Sequence, residues 1–569
     1  ACDVSSQKEI LDLLELIHED ISGIKIGLQY ITQRSPEEIR QLSIFKKPIL
    51  ISLGLVGIML WGIFSNFSSD LPALKISKHE AEGLAEEEFK KRNITFDSRW
   101  VRETQVQAWT GKQGKFIWQT EGKVAYDSLV GNYLPESGWR IRYRLRDGST
   151  EERAEEYSCW VTNSKRIGIT HKIPELSPGK LLSEEDARAL AQVKISEAYS
   201  VDLTNLFELE AKSEKKPNRM DWFFKYRDDS KPVNIKTGEF RINVALAGDE
   251  ITSIWKEVFI PEEWLRSEEE KQSKNMPFNF FQAAVIALTI LIAVVFGIIR
   301  WSKKQFSLSI FIKSLLILMA IRIVSSLNNF SNTVWNFSTS QPYASQLYQS
   351  ILSDIVMSVI FMSFILALLV GLTHRLIKEN INNDLPLVNG IFLGALMSGV
   401  LSLIYSLYPQ IGPSIGRFWD LNYEIPFLGG TLSFAGGFIQ VTLIYLTISV
   451  GLVTITKNWS KLLPYAIIYI IALGFVASLN GDATFESFPI WIISSLVMSV
   501  IIYGIHEDFI QYNIHLIPIV TGTMIVLSII RNGIINTHSG TIFITVSSTL
   551  VVSLLAYTWS RQLMNSVKK

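Results

Sequence analysis

The sequence predicts a polytopic α-helical membrane protein: about ten transmembrane helices, a duplicated α+β extracytoplasmic region and an N-terminal helix of amphipathic, coiled-coil type. Three observations carry this reading. Charged residues make up 19 % of the chain, below the roughly 25 % usual for soluble proteins. The deficit lies in one half, since residues 276–569 hold 14 Lys/Arg and 9 Asp/Glu against 40 and 45 before position 276. Within the charge-rich half, one set of residue spacings occurs twice. The net charge of zero leaves no basic surplus of the kind nucleic acid requires, so no nucleic-acid partner is expected.

In chain order, the first element is a cytoplasmic helix within residues 1–47. Ile10, Leu14, Ile17, Ile21, Ile24, Leu28 and Ile31 alternate by four and three, a heptad seam with Ile at d and Leu or Ile at a. The seam predicts self-association or docking of a membrane-protein partner; an amphipathic helix lying on the membrane accounts for the same pattern. Residues 48–66 are long and apolar enough to span the bilayer and lie too far from the N-terminus for a cleaved signal peptide, which predicts a signal anchor.

Residues 67–277 form the extracytoplasmic region, with two α+β repeats at about 75–175 and 181–264. Ser77, Glu80, Ala81, Leu84 and Ala85 recur as Ser183, Asp186, Ala187, Leu190 and Ala191. In each copy a serine is placed to cap a helix whose Ala/Leu face packs on a sheet. Trp139 to Arg144 then matches Trp222 to Arg227, and two hairpins turn at Asn163-Ser164 and Gly248-Asp249. The extra stretch from Val106 to Tyr126 reads as an additional hairpin. Alternation along the Trp139 strand puts Arg140, Arg142 and Arg144 on one side. That side is either a solvated basic face or a surface for an extracytoplasmic peptide, polymer or protein ligand.

Residues 278–569 are the membrane domain, with apolar runs near 278–299, 308–327, 351–372, 386–407, 427–453, 463–479, 489–505, 514–530 and 541–559. Lys46, Lys47, Arg300, Lys303, Lys304, Arg375, Lys378, Lys457, Lys461, Arg561, Lys568 and Lys569 fall on one side of these spans, and only Arg417 and Arg531 on the other. The positive-inside bias predicts a multi-pass protein of the bacterial cytoplasmic membrane with both termini in the cytoplasm. Cys2 and Cys159 then lie on opposite sides and cannot pair within one chain.

The paired helices, the Trp-Arg strand, the hairpin ending in Ile260-Pro261-Glu262-Glu263-Trp264 and the charged run Arg266 to Lys274 ahead of polytopic helices resemble the long bacterial proteins of the CPBP group. These are related to the type II CAAX proteases and bacteriocin-processing enzymes. The resemblance spans roughly residues 48–569. It implies a catalytic core of intramembrane Glu-Glu-x-x-x-Arg followed by Phe-x-x-x-His and a later His with Asn or Asp. No span here carries such a Glu pair, because Glu379, Glu424, Glu486 and Glu507 all lie in or beside loops. The resemblance therefore implies a relative of a protease and argues against proteolysis by that mechanism.

The residues themselves offer few sites. His506, Glu507, Asp508 and His515 cluster, but nine residues separate the histidines, half a helical rotation out of phase, and the stretch reads as a cytoplasmic turn. Arg322 and Asp354 sit at matching depth in consecutive spans and are candidates for an intramembrane ion pair, or with Gln440 for a polar path. Gly390, Gly394 and Ser398, and Gly429, Ser433 and Gly437, form small-residue ladders suited to close helix packing. No catalytic residue, metal ligand or cofactor is assigned. The expectation is a non-catalytic binding, scaffold or assembly subunit; the alternatives are a transporter or permease component and a membrane-embedded enzyme with a divergent active site.

Overall fold

The computed structural model describes residues 36–230, 233–304, 306–379, 385–456, 485–511, 513–536, 538 and 540–565. The heptad residues Ile10 to Ile31 and the apolar run 463–479 lie outside these residues.

The chain enters through helix α1 (Pro36–Phe64) and builds two α+β units. In the first, α2 (Lys78–Lys91) precedes an antiparallel sheet of order β1-β2-β3-β4 (Trp100–Gln107, Gly138–Leu145, Glu156–Thr162, Ile167–Lys172). In the second, α5 (Glu184–Tyr199) precedes a sheet of order β5-β6-β7-β8 (Leu206–Lys216, Arg219–Asp228, Glu239–Ala247, Glu250–Phe259). The local causes are the same in both. Ser77 accepts from the Glu80 amide at 3.2 Å and Ser183 from the Asp186 amide at 3.2 Å, each satisfying a free donor of a helix's first turn. Residues spaced four apart then face the sheet: Ala81, Ala85 and Phe89 lie against Trp139, Ile141, Cys159 and Val161, and Ala187, Ala191 and Ile195 against Trp222, Phe224, Ile242 and Val244. The Trp139 indole donates to the Ile76 carbonyl, and the Trp222 indole to the Leu182 carbonyl, in each case the residue before the capping serine.

Residues 111–129 correct the expected third hairpin. They form two short helices, α3 (Gly111–Thr120) and α4 (Gly122–Leu129), broken at Gly122 with φ +82°. The reason is period: Phe116, Ile117, Tyr126 and Leu129 make a helical apolar face, which packs on Phe240 and Val258 and so ties the two units together. Tyr133 reaches Asp228 and His171 lies between Glu155 and Glu250, making polar ties between the units.

A continuous helix, α6 (Glu262–Ser302), leads from β8. The remaining helices are α7 (Leu308–Asn328), the six-residue α8 (Phe330–Trp335), α9 (Tyr343–Asp354), α10 (Ser363–Glu379), α11 (Val388–Ser406), α12 (Pro426–Thr456), α13 (Phe488–Ile505), α14 (Ile517–Ile535) and α15 (Thr541–Asn565). The π-helical turns Ile355–Met362 join α9 to α10. Among the described residues, seven helices are long and apolar enough to cross a membrane, and Pro48–Phe64 adds a shorter apolar stretch. The protein is thus a multi-pass helical membrane protein with a sheet region.

Small residues set the helix contacts. A Cβ on Gly394 would lie 2.5 Å from the Val520 carbonyl, and one on Gly390 2.8 Å from Ile519, so the Gly390 and Gly394 ladder meets α14. On another side of α11, Gly399 abuts Gly57 of α1, a contact the ladder reading did not include. Gly429 is closed by Tyr423, and the Ser433 hydroxyl accepts from Arg417 at 2.6 Å. Gly437 meets no atom within 4 Å among the described residues.

Candidate functional site: an arginine-lined docking face

The outer face of the first sheet is where the two halves of the molecule meet. Along β2, Trp139, Ile141 and Tyr143 point into the α2 core, so Arg140, Arg142 and Arg144 share the other face. This face is covered by the chain's own segment 330–343. Helix α8 is too short to satisfy its final carbonyls internally, and its end points at the arginines. Arg144 donates at 2.5 Å to both the Val334 and Phe337 carbonyls, and Arg142 donates to Trp335 O at 2.9 Å while stacking 4.8 Å from the Trp335 ring centroid. Farther along, Arg153 donates to Thr339 O at 3.0 Å and Gln341 O at 2.6 Å, and Arg146 lies over Tyr343. The cations therefore sit at the negative end of a helix and its following turn, where the backbone dipoles favour them.

Each central cation is also ion-paired. Arg144, 3 % exposed, pairs with Glu103 at 2.8 Å, and Arg142 holds Glu156 in a two-pronged contact at 2.9 and 2.7 Å. Burial opposes ionisation of Glu156, but the Arg142 hydrogen bonds outweigh it and hold the carboxyl below the usual range. Burial, with Arg142 beside it, pushes Arg140 down. The pairs are electrically neutral, and the carbonyls take further donors from both guanidinium groups. At Arg142 and Arg144 the face is thus covered by the chain itself, while Arg140 stays part-exposed.

Further contacts reinforce the joint. Asp70 is a buried node that receives Lys123, the Ser414 amide at 2.6 Å and Gln410. Phe418, from the α11–α12 connection, is 2 % exposed within the core cluster of the first unit, with Leu421 beside it. Arg417 pairs with Asp420 at 3.1 Å, although burial pushes Asp420 up, and Arg531 donates to the Asn66 carbonyl at 2.9 Å. A cavity of about 140 Å3 remains between the first unit and the membrane half, lined by Ser77, Lys78, Trp139, Tyr423, Glu424 and His538. It holds no assembled nucleophile and base: the Ser77 hydroxyl caps α2, and Glu424 accepts from Ser331 at 2.5 Å.

The remaining candidates do not converge. Arg322 and Asp354 are both half-buried, and no ion pair joins them among the described residues, although α7 packs beside the turns that follow Asp354. Gln440 is exposed on the outside of α12 and lines neither the 140 Å3 cavity nor a cavity of about 40 Å3 beside His506. His506 and His515 are buried rather than placed in an open turn, because residues 506–510 continue α13 as a π-helical turn. Among the described residues no group of three or more His, Cys, Asp or Glu is arranged to hold a metal ion. Cys159 lies in the core of the first unit, where burial pushes its thiol up to about 12.

Sequence reasoning found the arginines but not their partners. Backbone carbonyls carry no sequence signature, and the short α8 between two spans was the only signal at hand. Comparison of the chain with protein-family models, curated proteins and solved structures found no match.

Proposed function

We propose that the chain is a non-catalytic binding or scaffold subunit of the bacterial cytoplasmic membrane, with about ten spans, both termini in the cytoplasm and a duplicated extracytoplasmic region that presents a docking surface to another protein. The carrying observation is the arginine-to-carbonyl joint of Arg142, Arg144 and Arg153 with residues 334–341. A module locked to the spans at this many points suits presentation of a surface at fixed height and orientation. The matched capping serines, indole donors and strand orders support descent of the two units from one ancestral unit. Kinship with the CPBP membrane proteins belongs to this reading and rests on the motifs quoted above. Among the described residues of the spans, Arg322, Asp354 and Gln440 do not converge, which favours this reading over a transporter or an enzyme.

The test is quantitative co-purification of the full chain from its native membrane. A protein partner held at fixed stoichiometry by the wild type, and lost when Arg142→Glu and Arg144→Glu release the module, is expected. Purification to homogeneity without a partner, together with solute flux or proteolysis in proteoliposomes, would overturn the reading.

A further inference from the structure

The second sheet carries a corresponding face, and among the described residues no segment is docked on it as residues 330–343 are on the first. Aligning Trp139 with Trp222 puts Lys225 in place of Arg142 and Arg227 in place of Arg144. The strand pattern agrees: Trp222, Phe224 and Tyr226 enter the α5 core, and Phe223, Lys225 and Arg227 share the outer face. Here too each cation has a carboxylate, although only Lys225 finds its partner on a neighbouring strand, as Arg142 and Arg144 do. Lys225 pairs with Glu210 at 2.8 Å, Arg227 with Asp229 at 2.8 Å and Arg241 with Glu239 at 2.8 Å. Exposure differs most at one position, since the Arg227 side chain is 36 % exposed where that of Arg144 is 4 %, while Lys225 is 24 % exposed against 14 % for Arg142.

Two features show what this face lacks. In the first sheet the aromatic ring over Arg142 comes from the docked segment; in the second, Arg227 and Arg241 lie over Phe207 and Phe259 of the neighbouring strands, at 5.0 and 3.6 Å. Phe207 remains 56 % exposed and Trp255 38 %. At the centre, between Lys225 on one neighbouring strand and Trp255 on the other, Asn243 is fully buried with neither its amide nitrogen nor its oxygen hydrogen-bonded. A buried amide without partners is costly and rare in a finished interface.

We infer that this face, over Phe207, Phe223, Lys225, Arg227 and Trp255, docks the C-terminal end of a short helix and its following turn from a partner membrane protein. The inference rests on the scaffold reading and names the chemistry of its partner. Because every cation already has a carboxylate, the net field is weak and an anionic polymer or lipid headgroup gains little; neutral backbone carbonyls are the acceptors that remain. The chain uses paired arginines in this way elsewhere. Arg144, paired with Glu103, takes two carbonyls, and Arg219, paired with Asp221, donates to the Pro174 and Ser177 carbonyls at 2.7 and 2.8 Å.

The test places benzoylphenylalanine at Trp255 or Phe207 in the full chain in its native membrane, with Val193, exposed on α5, as the control position. Irradiation should give a protein adduct from Trp255 and Phe207 but not from Val193. The linked residue should map to the last turn of a helix or the turn after it. Lys225→Glu with Arg227→Glu should cut the adduct at least tenfold, while Lys225→Arg keeps it and both variants retain the wild-type Tm. An adduct to lipid, to glycan or to a second copy of this chain would overturn the inference, as would no adduct above the control or one indifferent to charge reversal. Should a partner still co-purify when the Trp255 adduct fails, the scaffold reading stands and this face is not its site; failure of both removes the two together.

Discussion

The two units share strand order, helix capping and paired cations on the outer face, yet among the described residues Arg144 is buried in one sheet and Arg227 is part-exposed in the other. Arg144 and Arg227 occupy the same position in their strands, and their surroundings decide what each is worth. In the first sheet a guanidinium and a carboxylate are removed from water and depend on each other and on two carbonyls. In the second, the equivalent pair keeps its hydration. The comparison teaches that the arginine pattern specifies a docking face, and that the short helix α8 specifies which one the chain fills itself.

The largest effect should come from breaking the buried side. Arg144→Ala leaves the buried Glu103 only the more distant Arg146 at 3.6 Å and two carbonyls without donors, an expected loss of about 3 kcal/mol in stability. Thermal unfolding in detergent should fall accordingly, with new proteolytic cuts between residues 329 and 342. Arg227→Ala should leave Tm within error, as exposed pairs contribute little.

Next in size is the membrane packing beneath the joint. Gly394→Val drives a side chain into the Val520 backbone and should cost about 1–3 kcal/mol, whereas Gly437→Ala, facing open space among the described residues, should be neutral. Chemical denaturation of the two variants side by side measures the contrast.

Acid should loosen the first unit before the second. Burial pushes His538 down to about 4, so below its ordinary pKa near 6.5 the unfolded chain takes up a proton that the folded joint refuses. Stability present above that value is lost as pH falls toward 4. Glu156, held low by Arg142, acts in the same direction, and Asp420, pushed up by burial, opposes both. His538→Gln should flatten the pH dependence of Tm between 6.5 and 4, and an unchanged profile would remove His538 as its source.

The smallest effect is a gain. Asn243→Leu removes an unpaired buried amide and should raise Tm slightly, by about 1 kcal/mol in stability. In the covered sheet, Gln105 bonds to Asn332 at 2.9 Å, and Gln105→Leu should lower it.

Much of this architecture was legible in the residues. Ser77 and Ser183, each followed by acid and alanines, announce two capped helices, and the strand around Trp139 alternates cleanly enough to put three arginines on one side. Apolar length shows the membrane helices without further argument. Residues 111–129 misled because aromatic and β-branched residues suggest strands, while the glycines at 111 and 122 look like hairpin turns. Their helical period emerges only once Phe240 and Val258 supply a surface to pack on. The Gly57 to Gly399 contact was hidden for a related reason, as it joins helices over 300 residues apart, each with glycines to spare. The docking of α8 was the least legible feature, since its acceptors are main-chain carbonyls common to every residue.

The central claim is that the first sheet is seated on the segment that follows α7. Gln105→Cys and Asn332→Cys, in a chain with Cys2 and Cys159 replaced, place thiols at the two ends of the 2.9 Å hydrogen bond between the sheet and that segment. A short thiol-to-thiol crosslinker applied to intact membranes should join them within one chain, and mass spectrometry should recover the linked peptides, with the yield falling when Arg144→Ala is added. Failure to link, with both thiols still labelled by a monofunctional maleimide, would contradict the account.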